Sequence, residues 1–75
     1  MSNIANSELA FAPDRLIKLD EVKRIVGLAK TMIYQLVNAK KFPKPCKLGV
    51  HASRWSEREI YMWVAEQIAA RPAIH

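Results

Sequence analysis

The chain has few of the residues on which metal sites, disulfides and catalytic centres depend. Its 75 residues include one cysteine and two glycines. The single Cys46 excludes an internal disulfide and is typical of a reducing compartment, so we expect a cytoplasmic location. Cys46 and His51 would supply at most two of the four ligands of a structural zinc site. Gly27 and Gly49 alone do not make a glycine-rich phosphate loop. We therefore expect no enzyme activity, no metal, no cofactor and no small-molecule ligand.

Long apolar runs are also missing. No stretch approaches the ~18–20 apolar residues of a membrane-spanning helix, so no membrane partner is expected. Residues 1–13 lack the basic and apolar regions of a secretory signal, and we expect them to form a flexible tail. The remaining length is enough for one domain with a small core. We expect this domain over residues 14–71 and a short tail over 72–75.

Acidic residues are absent from the middle of the chain. The net charge is +5, and all seven Asp and Glu residues lie outside the window from Val22 to Ser56. A concentrated positive charge attracts a polyanion, because each phosphate that Lys or Arg neutralises releases condensed counterions. The window therefore predicts a nucleic-acid partner. Its eight basic residues are Lys23, Arg24, Lys30, Lys40, Lys41, Lys44, Lys47 and Arg54.

Local signals predict two helices joined by a tight turn. Residues 15–18 are expected to be a brief edge strand or an extended lead-in. The first helix then begins at Leu19, has Val22 and Val26 on its apolar face, and ends at Gly27. The second helix is predicted over residues 30–39, with Ile33, Leu36 and Val37 inward and with Ala29 as a poor N-cap.

The next segment predicts a hairpin followed by a third helix. Pro43 and Pro45 exclude a helix over residues 41–45. Two short strands are predicted over residues 46–48 and 53–55. Ser56 and Glu59 have the spacing of a capping box, and the helix that they open is expected to end near Ala70 because Pro72 follows. Stacking on bases is the alternative for the two tryptophans, but a small core needs their bulk. The side chains expected in the core of this part are Phe42, Leu48, Trp55, Ile60, Trp63, Val64 and Ile68.

The first two helices have the pattern of a helix-turn-helix. Such a unit needs a Gly at the bend and apolar residues on both facing surfaces, as Gly27, Leu28, Ile33 and Leu36 provide. Its second helix enters the DNA major groove with its outer side chains leading. Any amphipathic helix has a polar outer face, and the acid-free window is what favours DNA here. The expected base contacts are Thr31, Gln35 and Asn38, and the expected phosphate contacts on this helix are Lys30 and Tyr34.

The hairpin is the second predicted contact. Basic side chains surround its short loop, as in a wing that reaches an adjacent groove or backbone. The alternative is a structural hairpin that covers the edge of the core, with lysines that discourage edge pairing. The residues predicted to contact DNA in and beside the hairpin are Lys41, Lys44, Lys47, His51, Ser53 and Arg54.

The order of these motifs resembles a known family. From Arg15 to about Ala70 the chain is similar to the AlpA-type prophage regulatory proteins, relatives of the MerR-like winged helices and the excisionases. The segments that carry the resemblance are Arg15-Leu16-Ile17-Lys18-Leu19, Gly27-Leu28, Ile33-Tyr34, Phe42-Pro43-Lys44-Pro45, Lys47-Leu48-Gly49, Arg54-Trp55 and Glu59-Ile60 with Trp63-Val64.

The resemblance implies a mainly α fold with a small β-hairpin, a MerR-like winged helix-turn-helix. It also implies a bacterial or phage protein that binds double-stranded DNA near an integrase gene or attachment site, as a transcriptional regulator, an excisionase (a recombination directionality factor), or both. Lys30, Thr31, Tyr34 and Gln35 match the family's recognition helix, and 51–54 match its wing. The chain departs from the family at Ala29 and Met32, where hydroxyl residues are usual.

Other partners stay open at the level of the sequence. A second copy of the chain, binding cooperatively on DNA, and an integrase are both compatible with so small a domain. A small protein-interaction module that binds an acidic regulator or recombinase through the same basic surface is the alternative function. RNA binding ranks last, because exposed aromatic platforms for base stacking are not evident.

Overall fold

Residues 14–72 fold into three helices and a small antiparallel sheet. A computed structural model describes residues 14–72, so the predicted N-terminal tail and the end of the predicted C-terminal tail lie outside the described residues. The mainly α fold with a β-hairpin is confirmed. The elements are β1 (Leu16–Ile17), α1 (Leu19–Val26), α2 (Lys30–Asn38), β2 (Cys46–Lys47), β3 (Ser53–Ser56) and α3 (Glu57–Ala70).

The turn between α1 and α2 forms as its glycine predicts. Gly27 has a φ of 72°, in the left-handed region, and its N–H donates to the Lys23 carbonyl at 2.8 Å. Such a C-cap satisfies one of the carbonyls that a helix end leaves unpaired. Ala29, at the start of α2, makes no side-chain capping hydrogen bond. The start of α2 is therefore held by packing rather than by a cap.

The end of α2 uses a lysine where a glycine is usual. Lys40 has a φ of 62°, and its N–H donates to the Val37 carbonyl at 3.0 Å. The Lys41 N–H reaches back to the Leu36 carbonyl at 2.8 Å. These two bonds form a Schellman motif, in which the left-handed residue is most often Gly because a Cβ is strained there. The motif turns the chain away from α2 into the proline segment.

The sheet has β3 at its centre. Both neighbouring strands pair with it antiparallel, β1 through Ile17 opposite Trp55, and β2 through Cys46 opposite Arg54. Strands β2 and β3 form the predicted hairpin, which a hydrogen bond from the Leu48 N–H to the Ala52 carbonyl (2.8 Å) closes. Because side chains alternate across a strand, Trp55 points into the core while Arg54 points away from it.

The core lies between the helices and β3. Trp55 is fully buried, and its indole N–H donates to the Pro43 carbonyl at 3.0 Å. Trp63 is half-buried and donates in the same way to the Lys41 carbonyl at 2.8 Å. The two indoles therefore hold the proline segment against the body of the protein. The buried core residues are Ile17, Val22, Ile33, Phe42, Trp55 and Ile60.

Two residues predicted to be in the core are not there. Leu48 is 61% exposed and Ile68 is 53% exposed, so both predictions are wrong. Leu48 opens the hairpin loop, beyond the area that the helices cover. The 14 residues of α3 span about 21 Å, and its last turns extend past the small core. Gln67, which interrupts the apolar stripe of α3, is exposed for the same reason.

Hydrogen bonds anchor the start of α3. The Ser56 hydroxyl accepts from the Glu59 N–H at 3.1 Å, as the capping box predicts. A second cap comes from Asp14, whose carboxylate accepts from the Ser56 hydroxyl and, at 3.0 Å, from the Arg58 N–H. These two bonds lower the pKa of Asp14, the Ser56 hydroxyl first, because they favour the charged carboxylate.

An ion-pair network joins Arg15, the residue before β1, to α1 and α3. The Arg15 guanidinium lies 2.6 Å from a Glu57 carboxylate oxygen and 3.1 Å from a Glu21 carboxylate oxygen. The hydrogen bond from Arg15 lowers the pKa of Glu57. Exposed pairs of this kind contribute little stability, so the network orients the lead-in more than it stabilises the fold.

The arrangement is a winged helix-turn-helix. Helices α1 and α2 meet at the Gly27 turn, the β2–β3 hairpin forms the wing, and α3 packs behind the sheet. Among residues 14–72, none of the three helices is both long and apolar enough to cross a membrane.

Candidate nucleic-acid interface

Helix α2 exposes three of the residues predicted to contact bases. Ile33 is fully buried and fixes the inward face of the helix. With 3.6 residues per turn, Thr31, Gln35 and Asn38 then lie on other faces, and all three are exposed. Their amide and hydroxyl groups are available to a partner, and no side-chain hydrogen bond within residues 14–72 occupies them.

Tyr34 does not project freely as predicted. It is half-buried, and its ring meets the edge of Trp55 at a centroid distance of 5.9 Å and an interplanar angle of 64°. Edge-to-face pairs of this kind stabilise a core beyond the area that they bury. Tyr34 is therefore first a packing residue that joins α2 to the centre of the sheet, although part of it still reaches the surface.

The start of α2 and the hairpin meet in one shallow depression. We call it the wing depression; its volume is about 420 Å³. Three of its lining residues, Lys18, Lys30 and Arg54, are cationic, and they come from three separate parts of the chain. Arg54 is half-buried and also donates to the Ser53 carbonyl at 3.0 Å, which restrains its guanidinium. The wing depression is lined by Lys18, Leu19, Asp20, Lys30, Tyr34, Val50, His51, Ser53 and Arg54.

The wing depression contains one acid that the charge window did not predict. Asp20, in the first turn of α1, is exposed and lies among the cations. It precedes Val22 in the sequence and so falls outside the acid-free window. Lys18 lies outside that window too. No local signal assigned either residue to the interface, because only the packing of α1 against the hairpin brings them there.

Other lysines of the window lie in a different groove. The turn groove, with a volume of about 770 Å³, runs between the proline segment and α3. Lys40, Lys41 and Lys44 form part of one wall, and Glu59 and Glu66 of α3 also line the groove. The two hollows share no lining residue. The full lining of the turn groove is residues 40–46, Glu59, Met62, Trp63, Glu66 and Gln67.

Aromatic packing holds the turn groove in shape. The Phe42 and Trp63 rings meet edge to face at a centroid distance of 4.7 Å. Met62 beside them is 57% exposed, so the groove has an accessible apolar component. Sequence reasoning placed Lys41 and Lys44 with the wing, whereas the structure places them beside α3.

The predicted site residues differ in exposure, and they do not all lie in one hollow. Lys47 lies on β2 opposite Ser53 and lines neither hollow. Cys46 is an exposed free thiol at the end of the turn groove. Within residues 14–72 no group of three or more His, Cys, Asp or Glu side chains is placed to hold a metal ion. The exposed predicted residues are Lys30, Thr31, Gln35, Asn38, Lys41, Lys44, Lys47 and His51, and the half-buried ones are Tyr34, Ser53 and Arg54.

Comparison with known proteins agrees with the fold and with the sequence motifs. The family model described as "Prophage CP4-57 regulatory protein (AlpA)" matches residues 15–68. The DNA-binding transcriptional activator AlpA of Escherichia coli K12 is 34% identical over 59 aligned positions, which cover 71% of this chain and 84% of that protein.

A phage protein is also similar. The uncharacterized protein ORF88 of Enterobacteria phage P4 is 33% identical over 58 positions, which cover 77% of this chain. The match spans 66% of the phage protein, just under two thirds of its length. No solved structure matches the chain. Since the family model covers most of the described residues, the chain belongs to the AlpA family of prophage regulatory proteins.

Proposed function

We propose that this protein binds double-stranded DNA in a sequence-specific manner and regulates transcription or excision of a prophage or other mobile element. One observation carries the proposal: the start of α2 and the tip of the hairpin line the same cationic depression. A helix-turn-helix and a wing contact one duplex only when they face it together. The name of the E. coli relative, a DNA-binding transcriptional activator, supports the same function.

In the proposed complex α2 lies in the major groove. Gln35 and Asn38 can make bidentate contacts with adenine, and Thr31 can contact a base edge or a thymine methyl group. Lys30 and Arg54 would hold phosphates at the wing depression, with His51 and Ser53 of the wing beside the backbone. The protein would act by occupying DNA, without chemistry of its own, in the bacterial cytoplasm.

A domain of this size contacts few base pairs. We therefore propose that several copies bind repeated sites cooperatively, and that an integrase is the further partner if the protein promotes excision. Cooperative copies raise specificity because each adds base contacts to the same complex.

Salt dependence tests the electrostatic part of the proposal. With about five to seven phosphate contacts, log K for duplex DNA should fall with log salt at a slope of about −4 to −6. The measurement is a fluorescence-anisotropy titration at several salt concentrations. A slope near zero would contradict the proposal, since a duplex held by lysines and arginines must release counterions.

Two substitutions separate base contacts from phosphate contacts. Gln35→Ala should lower discrimination between an enriched duplex and a scrambled one by about 1–3 kcal/mol, because a base contact is lost. Lys30→Ala should weaken both duplexes alike, because Lys30 lines the wing depression and would hold a phosphate. The enriched duplex is the one that the wild-type protein selects from a random pool. If both variants lose the same affinity on both duplexes, α2 is not the recognition helix.

The turn groove favours a second candidate function. Lys40, Lys41 and Lys44 lie there beside the exposed Met62, a combination that suits an acidic protein segment with an apolar side chain. A gel shift with competitor DNA separates the two functions. If no discrete protein–DNA species forms at moderate salt, binding of an acidic protein is favoured over DNA binding.

A further inference from the structure

The wing depression places a carboxylate where a DNA phosphate would enter. Asp20 lines it together with Lys18, Lys30 and Arg54. A sphere of about 420 Å³ is about 9 Å across, which is close to the Debye length of about 8–10 Å in ordinary salt. Salt therefore screens Asp20 only in part from an anion bound in this depression. The ion pairs of residues 14–72 join Arg15 to Glu21 and Glu57, so no ion pair there neutralises Asp20.

From this position we propose that Asp20 is a specificity-determining residue that acts against non-cognate DNA. The inference rests on the proposed function, since it requires a duplex on the wing depression. An ionised Asp only accepts hydrogen bonds, and a phosphate has none to donate. Every register that brings a phosphate to this depression therefore meets repulsion from Asp20 as well as attraction from the three cations.

Only the bases offer Asp20 a favourable contact. In the major groove the hydrogen-bond donors are the amino groups of cytosine and adenine, and an Asp carboxylate accepts from cytosine N4. A cognate site that also presents an amino group to Asp20 gains a contact that offsets the repulsion, whereas a non-cognate site without that amino group does not. Repulsion of wrong partners is a common source of specificity in charged interfaces.

Asp20 also has a structural role that the test must separate. It lies in the first turn of α1, where the helix dipole favours negative charge. Loss of that role would destabilise the fold and weaken all DNA binding. Loss of the repulsion would strengthen binding to non-cognate DNA. The two roles therefore change the affinity for random DNA in opposite directions.

The experiment compares Asp20→Asn with Glu66→Gln. Both substitutions raise the net charge by one, but Glu66 is exposed in the turn groove, away from the wing depression. Binding is measured on a pool of random-sequence duplexes and on the duplex that the wild-type protein enriches from that pool. A thermal melt of each variant reports any loss of folding.

We expect Asp20→Asn to bind the random pool about three- to fiftyfold more tightly. Coulomb's law gives this range for one charge about 7 Å from a phosphate, between the dielectric constants of water and of a protein surface. Affinity for the enriched duplex should rise less, so the ratio of specific to random binding falls. Glu66→Gln should change both affinities by less than about twofold, because its charge is screened from the wing depression.

Two outcomes would overturn the inference. One is an equal gain for both variants, which would reflect net charge alone. The other is unchanged or weaker binding of the random pool by a folded Asp20→Asn variant. The proposed function fails separately: a wild-type protein that enriches no duplex from the pool, or that binds without salt dependence, contradicts DNA recognition itself whatever the variant does.

Discussion

The wing depression and the turn groove are both lined by lysines, yet they differ in what surrounds the charge. In the wing depression the cations come from the lead-in, α2 and the hairpin, and their neighbours are polar or small apart from Tyr34, Leu19 and Val50. In the turn groove three lysines share the lining with two glutamates and with the Phe42–Trp63 pair. The first has three cations to one acid and suits a polyanion, whereas the second has three cations to two acids and an apolar floor.

The difference shows that a run of charge along a sequence is not the same as a charged surface. The window from Val22 to Ser56 holds no acid, but the fold adds Asp20 to the wing depression and Glu59 and Glu66 to the turn groove. Trp55 connects the two regions, since its ring packs on Tyr34 and its N–H binds the Pro43 carbonyl.

The largest expected effect on stability comes from removing the Trp55 side chain, which makes this connection. Trp55→Ala should cost about 3–5 kcal/mol in the free energy of unfolding, because a fully buried indole leaves a cavity. A small domain has about 5–15 kcal/mol in total, so much of the protein would unfold near physiological temperature. Urea denaturation followed by circular dichroism measures the change. A loss below about 1 kcal/mol would contradict the core position of Trp55.

A conservative change at the same position provides the control. Trp55→Phe keeps an aromatic ring beside Tyr34 but removes the N–H that binds the Pro43 carbonyl. Part of its cost, about 1–3 kcal/mol, comes from the carbonyl left unpaired. The proline segment should exchange its amide hydrogens faster than in the wild type, whereas exchange in the wing should change little.

The next largest effect is expected when cations are removed from one hollow or the other. The double variant Lys30→Ala/Arg54→Ala removes two cations of the wing depression, and the salt slope of DNA binding should become shallower by about two. Lys41→Ala/Lys44→Ala removes the same charge from the turn groove and should change the slope by less than about one. Equal changes would show that DNA covers both regions.

Breaking the anchor of α3 should have a smaller effect. Ser56→Ala removes the hydroxyl that caps the Glu59 N–H and that donates to Asp14. Loss of an N-cap costs about 0.5–2 kcal/mol, measured as the shift of the urea midpoint. Because Ser56 also pairs with Leu16 of β1, hydrogen exchange should become faster in β1 and in the first turn of α3 before it does elsewhere. Faster hydrogen exchange in the turn groove alone would contradict this.

A stabilising substitution is expected on the wall of the turn groove. Lys40→Gly should raise the free energy of unfolding by about 0.5–1 kcal/mol, because glycine adopts a φ of 62° without the strain of a Cβ. Lys41→Gly removes the same charge, but Lys41 has no left-handed backbone whose strain a glycine would relieve. Because glycine also loses more conformational entropy on folding, this variant should be less stable than the wild type. If the two variants have equal stability, the strain at Lys40 is negligible.

The smallest expected effect depends on pH. The pKa of Asp14 is lowered in the folded protein, so its contribution to stability is present above the unfolded pKa of about 4 and is lost as pH falls through the lower folded pKa. Asp14→Asn should remove this part of the acid dependence and leave the part that comes from Glu57. Urea midpoints measured across the acid range compare the two proteins. Identical pH profiles would contradict the role of Asp14.

Local signals in the sequence were enough to place all the helices and the hairpin. Gly27 ends α1 and Ser56 caps α3, because a turn or a cap depends on residues a few positions apart. The predicted end of α2 was right within one residue, but its Schellman motif was not foreseen, since a lysine at a left-handed position carries no sequence signal. The second cap of α3, from Asp14, was missed because its partners are far away along the chain.

The chain by itself determined the helices and the hairpin to within about a residue, and that the middle of the sequence is basic, since periodicity, capping and composition act over short distances. Only the tertiary structure decided which charges share a surface. In the fold, Lys18 and Asp20 lie beside the hairpin, and Lys41 and Lys44 lie beside α3. Tyr34 packs on Trp55. These contacts join distant residues, and they exist only because burial of Trp55, Ile33 and Val22 in one core fixes how the helices and the sheet meet.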